Sequence, residues 1–193
     1  VSFVTAGEIR DLSGNITVPQ YGSVVNVSTL RYDGRPGYYQ QSWLSYNNTS
    51  DLGALSITHN CQHPSNILVA QWQMQIETDN NVVFKVLKDG SWIDNSFGDS
   101  TNASAASDEW YWKGLLCAYY DADNSSTPSN YLLQYVGYAG KTGNIVLTPT
   151  WQFTSGSGNL YINRTFGSAG QDAHEICVST GVCWEITNQG GIS

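Results

Sequence analysis

The chain has 193 residues, of which 40% are hydrophobic, 12% aromatic and only 12% charged, and its net charge is −8. A chain of this length suits one domain and buries roughly 70% of its unfolded surface, so a core forms without help from a metal. The eight Lys and Arg are scattered singly, which excludes nucleic-acid binding by phosphate neutralisation and docking on anionic membranes, and no apolar run is long enough for a membrane span.

The charged share is about half the usual one quarter. Ser, Thr, Asn, Gln and Gly must therefore cover the surface, as in many secreted β-proteins and many sugar-binding ones. The chain begins at Val1 rather than Met, which reads as a mature N-terminus after removal of a signal peptide. Residues 1–193 are expected to form a single secreted, extracellular β domain.

Along the chain the dominant period is two. Strands are expected at residues 1–9, 16–18, 24–32, 38–46 and 54–59. The clearest follows: Ala70, Trp72, Met74 and Ile76 alternate with Gln71, Gln73, Gln75 and Glu77. After a turn, Val82, Phe84 and Val86 alternate with Val83, Lys85 and Leu87, and Asp89-Gly90 is a tight-turn signal. Residues 107–121 can be read as a helix capped at Ser107 or as a strand through Trp110 and Trp112; the density of Trp and Tyr favours the strand. Residues 131–138 form another strand. Residues 145–153 and 160–166 are expected to pair as a hairpin, with Pro149 marking an edge strand or a bulge. A last hairpin is expected to turn at Gly181, with Ile176, Val178, Val182, Trp184 and Ile186 on its apolar face. About ten short strands at this spacing indicate an all-β antiparallel sandwich or jelly roll, with a closed β-barrel as the alternative and at most one short helix.

Four Cys, an even number, fit an oxidising compartment. The hairpin register places Cys177 opposite Cys183 and leaves Cys61 for Cys117, a long loop closure worth about 4 kcal/mol. Seven Asn stand in N-x-S/T sequons: Asn15, Asn26, Asn47, Asn48, Asn102, Asn124 and Asn163. They point to a glycoprotein of a secretory pathway, and Asn163 is expected to point outward.

Chemistry-bearing constellations are few. The register that aligns Cys177 with Cys183 sets Glu175 across from Glu185, both on the face away from Trp184. Cross-strand carboxylates can approach the ~5–5.5 Å separation of retaining glycosidases, so these two are the catalytic candidates if the chain is an enzyme. His59, Cys61 and His63 share a strand face, but residues four apart in a strand are about 13 Å apart, too far for one ion. D-A-D-N-S-S from Asp121 lacks the central Gly and the closing Glu of a calcium loop. No metal and no cofactor is therefore expected. Nucleophile-elbow, phosphate-loop and dinucleotide motifs are absent.

Aromatic residues remain. Tyr38, Tyr39 and Trp43 flank the G-R-P-G turn, Trp112 lies in the second aromatic cluster, and Gln71, Gln73 and Gln75 form a polar row. Exposed rings stack on sugar C–H faces while amides satisfy hydroxyls, so these seven residues are the expected ligand-binding set. The leading functional expectation is a non-catalytic, lectin-like binding protein whose partner is a glycan or polysaccharide. The alternatives are a glycoside hydrolase on a jelly roll, using Glu175 and Glu185, and a secreted effector or inhibitor that binds another extracellular protein. The composition resembles that of small jelly-roll endoglycanases, a likeness of composition alone.

Overall fold

The computed structural model describes residues 3–5, 8–10, 16–17, 22–34, 39–42, 50–78, 82–92, 117–119, 128–153, 157–164 and 177–188. Among them, fifteen strands and one short 3₁₀ turn occur in chain order. Two antiparallel sheets pack face to face as a sandwich, and neither closes into a barrel. A separate small sheet joins β1 (Phe3–Thr5), β2 (Glu8–Arg10) and β3 (Ile16–Thr17). Among the described residues no helix is long and apolar enough to cross a membrane.

The first large sheet is built on β8 (Ile67–Thr78), which alternates between the core and the outer face as far as Ile76 and ends with Glu77 and Thr78 also buried. One edge of β8 pairs with β12 (Ser129–Tyr138). The other edge carries β15 (Ser179–Ile186) and β14 (Ser157–Ile162) end to end. Beyond them lie β4 (Val24–Tyr32) on β15 and β5 (Tyr39–Ser42) on β14.

The second sheet is built on β13 (Gly143–Phe153). On one edge it pairs with β9 (Val82–Lys88), which also pairs with β10 (Ser91–Trp92) and β11 (Cys117–Tyr119). On its other edge lie β7 (Ile57–Cys61) and β6 (Ser50–Asp51). The β9–β10 link turns at Asp89 (φ 52°) and Gly90 (φ 77°), the two left-handed residues that a tight hairpin of the expected kind requires. Strand β9 departs from simple alternation, because Val82 through Leu87 are all buried.

Pro149 lies inside β13 rather than at a sheet edge. Its carbonyl accepts from the Leu52 backbone N–H at 2.8 Å, so its nitrogen faces the same side. There the neighbouring chain breaks between β6 and β7 into the 3₁₀ turn Gly53–Leu55, and the missing donor has no ladder partner to disappoint.

Two expected hairpins are replaced by other connections. β13 does not pair with β14; the chain crosses to the other sheet, and β14 pairs with β5 and β8. The turn expected at Gly181 is a straight run of β15, paired with β4 on one side and β8 on the other. Gly181 serves packing instead. It lies opposite Trp72 in the ladder, and a Cβ there would sit 2.9 Å from Trp72 Cδ1 and 3.0 Å from Ile57 Cδ1. The space it leaves lets the Trp72 indole lie fully buried and donate its N–H to the Leu55 carbonyl at 2.8 Å.

The expected disulfides fall with those hairpins, since Cys61, Cys177 and Cys183 are free thiols. Cys177 and Cys183 lie on one advancing segment and cannot face each other. Cys61 on β7 and Cys117 on β11 are separated by β13 and β9, three strand spacings or at least about 14 Å, and they stand opposite Gly143 and Trp151, far apart along β13, against an upper limit near 7 Å between bridged Cα atoms.

The Gly181 contact gives a direct test. Gly181→Ala is expected to destabilise the protein by about 1–3 kcal/mol through overpacking against Trp72; in urea denaturation an unchanged midpoint would contradict this placement.

Candidate functional site

The alternation of β8, β15, β4 and β12 divides their side chains between two faces. On the outer face the register aligns four cross-strand rows. Two are apolar: Val24, Ile186, Ile67 and Tyr138 form one, and Val27, Trp184, Val69 and Val136 the next. The third holds Thr29, Val182, Gln71 and Gln134; the fourth holds Arg31, Thr180, Gln73 and Leu132. Val27, Leu132, Val136 and Tyr138 are each 45–48% exposed. A groove of about 410 Å³ opens over the polar rows, lined by Thr29, Leu30, Gln71, Gln73, Thr180, Gly181 and Val182. This volume is within the ~300–1,000 Å³ of small-molecule sites.

The inner face of β15 is small and polar. Ser179, Gly181, Cys183, Glu185 and Thr187 point into the sandwich while Thr180, Val182, Trp184 and Ile186 point out. This reverses the facing expected from sequence. The Glu185 carboxylate is 0% exposed, and its Oε1 accepts from Gln62 N at 2.8 Å, His63 N at 3.2 Å and Asn66 Nδ2 at 2.7 Å. Its Oε2 lies 3.3 Å from His59 Nε2, and His59 Nδ1 lies 2.9 Å from Ser28 Oγ. One side chain thus ties β15 to β7, to β4 through His59 and Ser28, and to the turn that follows β7.

Two thiols lie beside this network. Burial pushes Cys61 up to about 11, with Glu185 adding to the rise. Burial pushes Cys183 up to about 12, followed by the effects of Cys61 and Glu185. Both are protonated at neutral pH and poor nucleophiles, so neither equips the protein for covalent catalysis.

The expected site residues are placed as follows. Gln71 and Gln73 line the groove, and Gln75 stands farther along the same outer face of β8. Tyr39 belongs to β5, while Tyr38, Trp43, Trp112 and Glu175 lie outside the described residues. The exposed Glu175–Glu185 pair is not formed in the expected way, because no hairpin exists to align it and Glu185 is sealed in the core. His63 leaves the strand, its Nδ1 lying 2.8 Å from Ser65 Oγ, so the H-N-C-Q-H run does not converge as a unit.

Among the sequons, Asn26 uses its amide N–H to donate to the Asn60 carbonyl at 2.7 Å. Asn163, expected to point outward, is 0% exposed with φ 59°, a left-handed conformation that Asn tolerates. Its Nδ2 donates to the carbonyls of Tyr32 and Gly34 at 2.8 and 3.0 Å, and its Oδ1 accepts from Ser179 Oγ at 2.6 Å. Asn15, Asn47, Asn48, Asn102 and Asn124 lie outside the described residues.

Sequence reasoning missed Thr29, Thr180, Val182 and Trp184 as outer-face residues, because the apolar set of β15 looks like a core face. It also missed Ser28 and Asn66 as partners of the buried network. The one sign available was the polar turn Gln62-His63-Pro64-Ser65-Asn66, whose backbone donors need a nearby acceptor once buried. No protein-family model matches the chain, and no curated protein matches it.

Two outcomes follow. Glu185→Ala leaves three donors without their acceptor, each costing about 1–3 kcal/mol. Its stability in urea should fall by at least about 3 kcal/mol, and Glu185→Gln, which keeps one oxygen, should fall less. A loss below about 0.5 kcal/mol for Glu185→Ala, typical of surface substitutions, would contradict the buried network. In peptide mapping of the chain expressed through a glycosylating secretory pathway, the peptide bearing Asn163 should be unmodified, since the nitrogen that would carry a glycan is committed to two carbonyls; full occupancy there would overturn its placement.

Proposed function

We propose that the protein is an extracellular, non-catalytic binding module that takes carbohydrate on the outer face of the β4–β15–β8–β12 sheet. The observation that carries this reading is the groove in which Gln71, Gln73, Thr29 and Thr180 stand around Val182, one row from Trp184. Each glutamine offers an amide oxygen acceptor and two N–H donors, a set that matches adjacent hydroxyls of a sugar. The Trp184 ring and the aliphatic side chains beside it suit the C–H face of a pyranose. Low charge and abundant amides and hydroxyls over the whole chain fit the same ligand. The sequons support secretion and N-glycosylation.

A hydrolase reading loses its main support, since Glu185 is buried and fully engaged. A protein partner is the second reading. It is favoured by the two apolar rows, eight contiguous residues of the outer face, because exposed apolar patches rimmed by polar groups mark interaction surfaces.

The test is binding of the full chain to an array of glycans and polysaccharides. The expected result is specific binding that weakens roughly tenfold, equivalent to about 1.4 kcal/mol, in Gln71→Ala/Gln73→Ala and in Trp184→Ala, with the circular dichroism of the wild type retained. Binding to no glycan, or binding indifferent to both variants, would remove the proposal. Capture of a protein ligand abolished by Val27→Ser and Val136→Ser would establish the second reading in its place.

A further inference from the structure

The inward face of β7 carries His59 and Cys61 two residues apart, and the inward face of β15 brings Glu185 against them. One ligand atom from each, a His59 ring nitrogen, the Cys61 sulfur and a Glu185 carboxylate oxygen, lie within 4.8 Å of one another. The three residues are 0–3% exposed.

The arrangement of the remaining atoms is that of an oriented ligand set. His59 has its Nδ1 on Ser28 Oγ at 2.9 Å, which fixes the ring and turns Nε2 into the cluster. Glu185 has its Oε1 held by Gln62, His63 and Asn66, which turns Oε2 into the cluster. Second partners of this kind orient metal-ligating histidines and carboxylates. The Nε2···Oε2 separation is 3.3 Å, long for a good N–H···O bond. Two donors each about 2.0 Å from one tetrahedral ion stand about 3.3 Å apart.

We propose that His59, Cys61 and Glu185 form a buried binding site for a divalent transition-metal ion of the zinc class. The donor set of imidazole nitrogen, thiolate sulfur and carboxylate oxygen selects such an ion over calcium or magnesium, which take oxygen ligands. Binding converts the Cys61 thiol to a metal-bound thiolate and releases one proton. The two positive charges of the ion are then met by the thiolate and the Glu185 carboxylate, so the loaded site is neutral and suited to a core. Three protein ligands leave the fourth tetrahedral position to a water molecule, and the ion would clamp β7 of one sheet to β15 of the other. The site faces the interior, opposite the outer groove, and its test is independent of glycan binding.

The experiment strips the full chain with a chelator and titrates it with cobalt(II). The expected result is one cobalt per chain, a thiolate-to-cobalt charge-transfer absorption, a raised melting temperature and displacement by zinc(II). Cys61→Ser should abolish the charge-transfer band, and Cys177→Ser, at a thiol outside the cluster, should leave it unchanged. Ser28→Ala should weaken cobalt binding by roughly 10–100-fold through loss of the His59 tether. The wild-type titration is decisive without any variant: no cobalt retained, or no thiolate band, overturns the proposal. A band that survives Cys61→Ser overturns it too, as does a non-reducing peptide map that finds wild-type Cys61 in a disulfide.

Discussion

The sandwich depends on one buried carboxylate. Glu185 takes two backbone N–H groups and a side-chain amide from the turn after β7, and its second oxygen meets His59 of the facing sheet. A charge-bearing group in a core is tolerated only when its hydrogen bonds are supplied there. The supply comes from a polar turn that would otherwise bury its own donors. Each side of the contact therefore requires the other, and together they fix the facing of β15. The same turn is tied onward, as Asn66 accepts from Ala139 N at 2.8 Å and from Asn188 N at 3.4 Å.

With Glu185 inward, Trp184 and its apolar neighbours must face out, because side chains alternate along a strand. The outer sheet face then acquires its two apolar rows and the groove beside them. Candidate binding function and core architecture are thus linked through one strand. Gly181 completes the link: it admits Trp72 beneath the sheet while its flanking residues, Thr180 and Val182, line the groove above.

The all-β class, the facing of β8 from Ala70 to Ile76 and the Asp89-Gly90 turn were legible from the sequence, because each is written in local alternation or in the backbone freedom of a turn; Glu77, expected on the outward face, is buried. The sheet partners were not. A strand followed by a Gly- and Ser-rich segment reads as half of a hairpin whether the chain turns back or crosses to the other sheet, and β13 crosses. The facing of β15 was misleading for a physical reason. Its apolar set is the outward-facing, half-buried one, so hydrophobic periodicity pointed the wrong way, and the Cys177–Cys183 and Glu175–Glu185 pairings built on it went with it. Asn163 shows the same limit: a sequon specifies three residues, whereas burial is decided by Tyr32, Gly34 and Ser179 from elsewhere in the chain. Gln71 and Gln73 survived as groove residues because their strand was read in the correct facing.

The most direct measurement is native-state amide hydrogen exchange at Gln62 and His63. Both belong to a turn at the protein surface, Gln62 with an exposed side chain, and both amides donate to Glu185. If the buried carboxylate organises the sandwich, these two amides exchange as slowly as those of β8, through global unfolding. Exchange at the rate of an open surface turn would contradict it.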